Sequence, residues 1–148
     1  MDTTKKIGIG GDHAGYEYKS EVKTWLEGLG FEVKDYGTYT EESVDYPDYV
    51  HPLAGDIENE KLAFGILICG SANGVCMTAN KHKGIRAAIT WNTELAELAR
   101  QHNDANIICL PARFVSVDIA KQMVEAFLST DFEGGRHERR VSKISMGH

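Results

Sequence analysis

Cys69 stands where an apolar run, Phe64-Gly-Ile-Leu-Ile-Cys69, gives way to the glycine-rich turn Gly70-Ser-Ala-Asn-Gly74. A thiol at the open end of a buried strand lies beside the backbone N–H groups of the turn and of the helix that follows. Such a place suits an anion or a developing oxyanion. The same donors favour thiolate over thiol, so a partly ionised Cys69 is expected. A cysteine ending an apolar strand is ordinarily a small core hydrophobe, and the loop sets this one apart. Cys76 falls inside the next helical pattern and Cys109 inside a strand, which makes both packing residues.

Other residues have types that could join such chemistry. Gly10-Gly-Asp-His-Ala-Gly15 follows the first apolar run and is neither GxGxxG nor a Walker A loop. Its Asp12 can cap a helix or accept hydrogen bonds from hydroxyls, and its His13 can face an anion. His102 and Asn103 close a helical pattern, with His102 near the inward face, where an imidazole either packs or carries protons. Arg113, Arg136 and Arg140 are guanidinium candidates for a phosphate, since the planar fork offers paired donors. No HExxH, paired CxxC or EF-hand spacing is present, so no metal is expected, and there is no GxSxG elbow.

These groups must be carried by regular elements. Strands are expected at 6–11, 31–36, 63–69, 85–90 and 105–110, with 63–69 the most buried and 31–36 half wet or at an edge. Helices are expected at 14–29, 48–61, 73–81, 92–103 and 117–128, with Asp12 as an N-cap and Gly30 as a C-terminal stop. The alternation points to a three-layer α/β/α, Rossmann-like fold with a five-stranded parallel sheet. The last twenty residues read as an arm with a short helix. Ligands in such folds bind at the carboxyl ends of the strands, where Asp12, His13, Cys69 and Arg113 fall.

Size and composition limit the class. The 148 residues suffice for one domain, 1–148, with 42% hydrophobic and 26% charged content. No apolar run approaches a membrane helix and no signal-peptide core follows Met1, so no membrane association is expected. Three cysteines without CxxC pairing point to a reducing, cytoplasmic setting. The net charge of −6 argues against nucleic acid. It is unevenly spread: 41–60 carries seven acidic residues and no Lys or Arg, whereas 134–143 carries four basic residues against one Glu. That basic cluster is either a solvated tail or a local anion site.

Taken together, Gly11-Asp-His-Ala-Gly15, Asp45-Tyr-Pro47, Ile68-Cys-Gly-Ser71, Ala79-Asn-Lys81, Gly84-Ile-Arg-Ala87, Arg100-Gln-His-Asn-Asp104 and Glu133-Gly-Gly-Arg-His137 closely resemble the type B ribose-5-phosphate isomerases. These belong to the family that includes galactose-6-phosphate isomerase subunits. The resemblance covers nearly the whole chain. It implies aldose–ketose isomerisation of a sugar phosphate through an enediolate, with no cofactor. It implies Cys69 as the base, Gly70, Ser71, Ala72, Asn73 and Gly74 as the loop holding the enediolate, and His102 in ring opening. Asp12, Tyr46 and Asn103 would line the sugar, and His13, Arg113, Arg136 and Arg140 the phosphate. Sites in the family are shared between chains, which implies a homodimer or a dimer of dimers.

Two departures stand out. The family loop commonly has glycine where this chain has Ala72, and one branch uses a glutamate base where this chain has Val75. A six-carbon sugar phosphate as substrate, or a non-catalytic sugar-phosphate-binding module, remain alternatives at this stage.

Overall fold

The structure, a computed structural model, describes residues 1–146. Five strands form one parallel sheet in the order β2-β1-β3-β5-β4: β1 (Ile7–Gly11), β2 (Val33–Asp35), β3 (Phe64–Cys69), β4 (Ala87–Ile89) and β5 (Ile107–Pro111). Among the described residues, six α-helices accompany them: α1 (Tyr16–Gly28), α2 (Pro47–Glu58), α3 (Asn73–Ala79), α4 (Thr93–Gln101), α5 (Val117–Ser129) and α6 (Arg136–Ser142). The expected three-layer α/β/α architecture is observed. β2, the wettest strand in the sequence pattern, is an edge strand, and β3, the most apolar, is central.

The two-residue period of the strands decides the layers. Ile7, Ile9, Ile66, Ile68, Ile108 and Leu110 point to one face, where α1, α4 and α5 contribute Val22, Leu26, Ala96, Ala99, Met123, Val124 and Phe127. Leu67, Cys69, Ile107 and Cys109 point to the other, against Val50, Leu53, Ala54 and Ile57 of α2 and Val75, Cys76 and Ala79 of α3. Local signals place the ends of α1. The carboxylate of Asp12 accepts from the backbone N–H of Ala14 at 2.9 Å and opens a 3-10 turn that leads into the helix. Gly30, at φ +102°, stops it in the left-handed region that glycine tolerates.

The chain reverses its winding direction between β1 and β3: β2 lies on one side of β1, and β3, β5 and β4 on the other. That point is the crevice where open parallel sheets bind ligands. A buried ion pair holds its rim. Lys19, 2% exposed, reaches both oxygens of Asp35 at 2.7 Å, and Asp35 also accepts from the backbone N–H of Gly37 at 2.8 Å. Among the described residues, no helix is long and apolar enough to cross a membrane.

Candidate active site

Cys69 ends β3 at the winding reversal and is 6% exposed. The backbone N–H groups of Val75, Ala72 and Ser71 lie close enough to its sulfur to favour the thiolate. Burial nevertheless dominates and pushes the thiol pKa above its ordinary value, and the nearby Asp12 carboxylate pushes it the same way. The resting side chain is therefore a neutral thiol at pH 7, contrary to the partial ionisation expected from the loop alone. The donors are in place, but desolvation outweighs them.

The turn is shaped by what packs on it. Ala72 adopts φ +67°, the left-handed conformation that glycine would hold without strain, and is fully buried. A Cβ on Gly70 would lie 3.1 Å from Cδ and Nε of Arg113, so that guanidinium lies over the start of the loop. A Cβ on Gly74 would lie 2.4 Å from Cζ of Tyr46, which places the phenol ring against the start of α3. Ser71 and Asn73 are exposed, and the Ser71 hydroxyl accepts from the Asn73 N–H at 3.3 Å. Gly11 and Gly15 let the turn after β1 lie on β3: a Cβ on either would meet the carbonyl of Ile68, at 2.0 and 2.7 Å. The N–H of Asp12 donates to that same carbonyl at 3.3 Å, which sets Asp12 beside Cys69. His13 accepts from the backbone N–H of Val44 at 3.3 Å through Nδ1 and so ties down the loop that leads to Tyr46.

Asp12, His13, Tyr46, Cys69 to Gly74 and Arg113 thus gather at the carboxyl edge of the sheet. His102, Asn103, Arg136 and Arg140 do not join them within one chain. His102 and Asn103 follow α4, which runs down from the carboxyl edge to the start of β5. Their end of β5 is level with Gly65, whereas Cys69 is level with Pro111. At roughly 3.3 Å per residue, the strand between those two levels spans about 13 Å. The segment after α5 is bonded to this lower edge, with the Glu133 N–H donating to the Gln101 carbonyl at 3.1 Å, and it carries Arg136 and Arg140 on α6.

Sequence reading passed over two residues at the lower edge, Glu133 and His137. The His137 ring stacks on His102 at 4.3 Å with 14° between the planes. Desolvation, then the charges of His102 and Arg136, hold the His137 pKa below its ordinary value, while Glu133 opposes them. The only prior signal was their place in Glu133-Gly-Gly-Arg-His137, four residues apart.

A doubly wound α/β protein with a thiol, an amide-lined turn and a carboxylate at its winding reversal is built to act on a small polar ligand that develops negative charge. The ribose/galactose isomerase family profile matches residues 7–144, and the chain belongs to that family. It is 47% identical to a probable ribose-5-phosphate isomerase B of Mycoplasma pneumoniae over 97% of this chain and 95% of that one. It is 42% identical to the ribose-5-phosphate isomerase B of Escherichia coli, over 95% of each. Its fold superposes on the ribose 5-phosphate isomerase of Thermotoga maritima with a TM-score of 0.94 at 50% identity, covering 95% of this chain and 97% of that one. It superposes on the Mycoplasma genitalium ribose-5-phosphate isomerase B, solved with bound ribulose-5-phosphate, with a TM-score of 0.89 at 43% identity, covering 94% and 93%.

Proposed function

We propose that the chain interconverts ribose 5-phosphate and ribulose 5-phosphate through an enediolate, with Cys69 moving the proton between C2 and C1. The observation that carries this reading is the convergence on one sulfur of the Ser71, Ala72 and Val75 N–H groups and the Asp12 carboxylate. Bound ribulose-5-phosphate in the Mycoplasma genitalium relative favours the pentose over a six-carbon sugar.

The neutral resting thiol defines the first requirement. Sugar hydroxyls that donate to Asp12 engage its charge and weaken its hold on the thiol, so substrate binding itself favours the thiolate. The thiol gives up its proton to solvent, and the thiolate then takes the C2 proton of the open-chain aldose, whose electron pair forms the C1–C2 double bond. The carbonyl oxygen becomes an enediolate oxygen facing the turn, and donors set in advance for that charge are the dominant rate contribution in such sites. The proton returns from sulfur to C1 while the O2 hydroxyl proton passes to O1, which completes the ketose, and a positioned base of this kind adds on the order of 10²–10⁴-fold. Arg113 and His13, on the same edge, serve the phosphate, whose binding energy positions the reacting carbons.

Ring opening requires a second acid–base group, which His102 supplies from a neighbouring chain; Asn103 of that chain lines the sugar, and its Arg136 and Arg140 meet the phosphate. The separation of the two groups across the sheet supports a homodimer with shared sites. So do Trp91 and Phe114, which are 59% and 75% exposed just beyond β4 and β5 on the Cys69 edge.

Mixing two impaired variants, assayed with ribose 5-phosphate, tests both the residues and their sharing. On that substrate Cys69→Ala and His102→Ala are each expected to lose nearly all turnover alone. In a mixed dimer with shared sites, one site carries both lesions and the other carries neither. After random exchange about a quarter of the parental rate should return. If each chain supplied its whole site, every site would keep a lesion and nothing would return. No recovery after demonstrated exchange overturns the shared site.

A further inference from the structure

The lower edge holds a side-chain cluster that the isomerase reading uses only in part. Nε2 of His102 lies 3.5 Å from Oε1 of Glu133, and Nε2 of His137 lies 3.6 Å from the same oxygen. The three ligand atoms all fall within 4.8 Å of one another. A four-coordinate zinc-type ion binds nitrogen and oxygen at about 2.0–2.2 Å, which in a tetrahedron sets neighbouring ligand atoms roughly 3.3–3.6 Å apart. Two edges of the triangle are therefore already close to the required length. The third closes by rotation of His102 and Glu133, whose side chains are 40% and 51% exposed.

The backbone brings the set together from distant parts of the chain. His102 caps the end of α4, and Glu133 is tied to that end through its N–H to Gln101. Gly134 and Gly135, at φ +68° and +58°, turn the chain so that α6 brings His137 back over His102. Two imidazoles and one carboxylate match zinc, cobalt, nickel and copper ions and are too nitrogen-rich for magnesium or calcium.

We infer that His102, Glu133 and His137 form a three-ligand site for a zinc-type ion, and that an ion held there inhibits isomerisation by occupying the imidazole nitrogen of His102. The inhibitory half rests on the ring-opening role proposed above; the binding half does not. No metal was expected from the sequence, because the ligands lie on separate elements and match no short metal motif. Arg136 and Arg140, whose charges also reach His137, oppose a bound cation and make the site reversible.

The whole protein, freed of metal with a chelator, is titrated with Co²⁺ while its visible absorption is followed, and with Zn²⁺ by equilibrium dialysis. The expected result is about one ion per chain, with the strong visible band of tetrahedral cobalt. Glu133→Ala and His137→Ala should each weaken binding by about tenfold or more. Cys69→Ala should bind as the parent does. Zn²⁺ should slow turnover of ribose 5-phosphate, with the concentration dependence moving in step with binding, the parent and the Glu133→Ala and His137→Ala variants each compared with their own metal-free rate. Unchanged binding in both ligand variants, or loss of binding in Cys69→Ala, overturns the site. Binding without inhibition overturns the inhibitory half. Failure of the metal-free protein to turn over the sugar counts against the isomerase reading alone and leaves the cobalt titration readable.

Discussion

Replacing Gly74 with alanine puts a methyl group where Tyr46 already sits. The added Cβ would lie 2.4 Å from Cζ and 2.7 Å from both Cε1 and the phenol oxygen. Carbon atoms in favourable contact stand about 3.5–4.0 Å apart, so the ring must retreat by about 1 Å. The Tyr46 backbone cannot follow. It precedes Pro47, and its carbonyl accepts from the N–H groups of Tyr49 at 3.0 Å and Val50 at 3.2 Å at the start of α2. The ring must turn instead, which as overpacking costs about 1–3 kcal/mol of stability. If Tyr46 lines the sugar, a displacement of that size lowers kcat/KM on the order of 10²-fold. Urea unfolding and a steady-state assay with ribose 5-phosphate read the two effects. The Tyr46→Ala background isolates the cause: with the ring gone, Gly74→Ala should cost less than about 0.5 kcal/mol. An equal stability loss in both backgrounds would place the strain elsewhere. Parental kcat/KM in Gly74→Ala would remove Tyr46 from the site.

Asp12→Asn removes a charge that raises the Cys69 pKa, so at pH 7–8 the thiolate fraction rises; alkylation of Cys69 by iodoacetamide should speed up while isomerase turnover falls, and unchanged alkylation would separate the two residues. The raised pKa also sets a sign for stability: the thiol form stabilises the fold below the ordinary thiol pKa, and this contribution fades as pH rises through the higher folded value, an alkaline loss that Cys69→Ala should abolish in unfolding curves. His102→Ala should lose on the order of 10²-fold or more with ribose 5-phosphate yet keep deuterium exchange into ribulose 5-phosphate, which is acyclic because its O5 is phosphorylated; equal losses in both assays would argue against ring opening. Asp35→Ala leaves the Lys19 ammonium buried and unpaired and should cost about 3–5 kcal/mol, whereas Lys19→Met should cost much less, an asymmetry that equal losses in urea unfolding would refute.

Much of this molecule is legible along the chain, because its signals are local. The short apolar runs around Ile7 and Ile66 and the helical spacing around Val22 and Leu26 reveal the succession of strands and helices and the three layers. The turn from Cys69 to Gly74 and the cap at Asp12 each depend on a few neighbouring residues, so their types alone point to a ligand edge. The parallel direction and register of the strands, however, depend on pairings between residues far apart. They set Cys69 at one edge of the sheet and His102 at the other, and the bond from the Glu133 N–H to Gln101 draws Arg136 and Arg140 to that second edge, which no local pattern records. The ionisation of Cys69 likewise follows from burial against α3 and the approach of Asp12, and desolvation outweighs the donors that the loop motif advertises. The meeting of His102, Glu133 and His137 is also decided only in three dimensions, where a left-handed pair of glycines folds the end of the chain back onto α4.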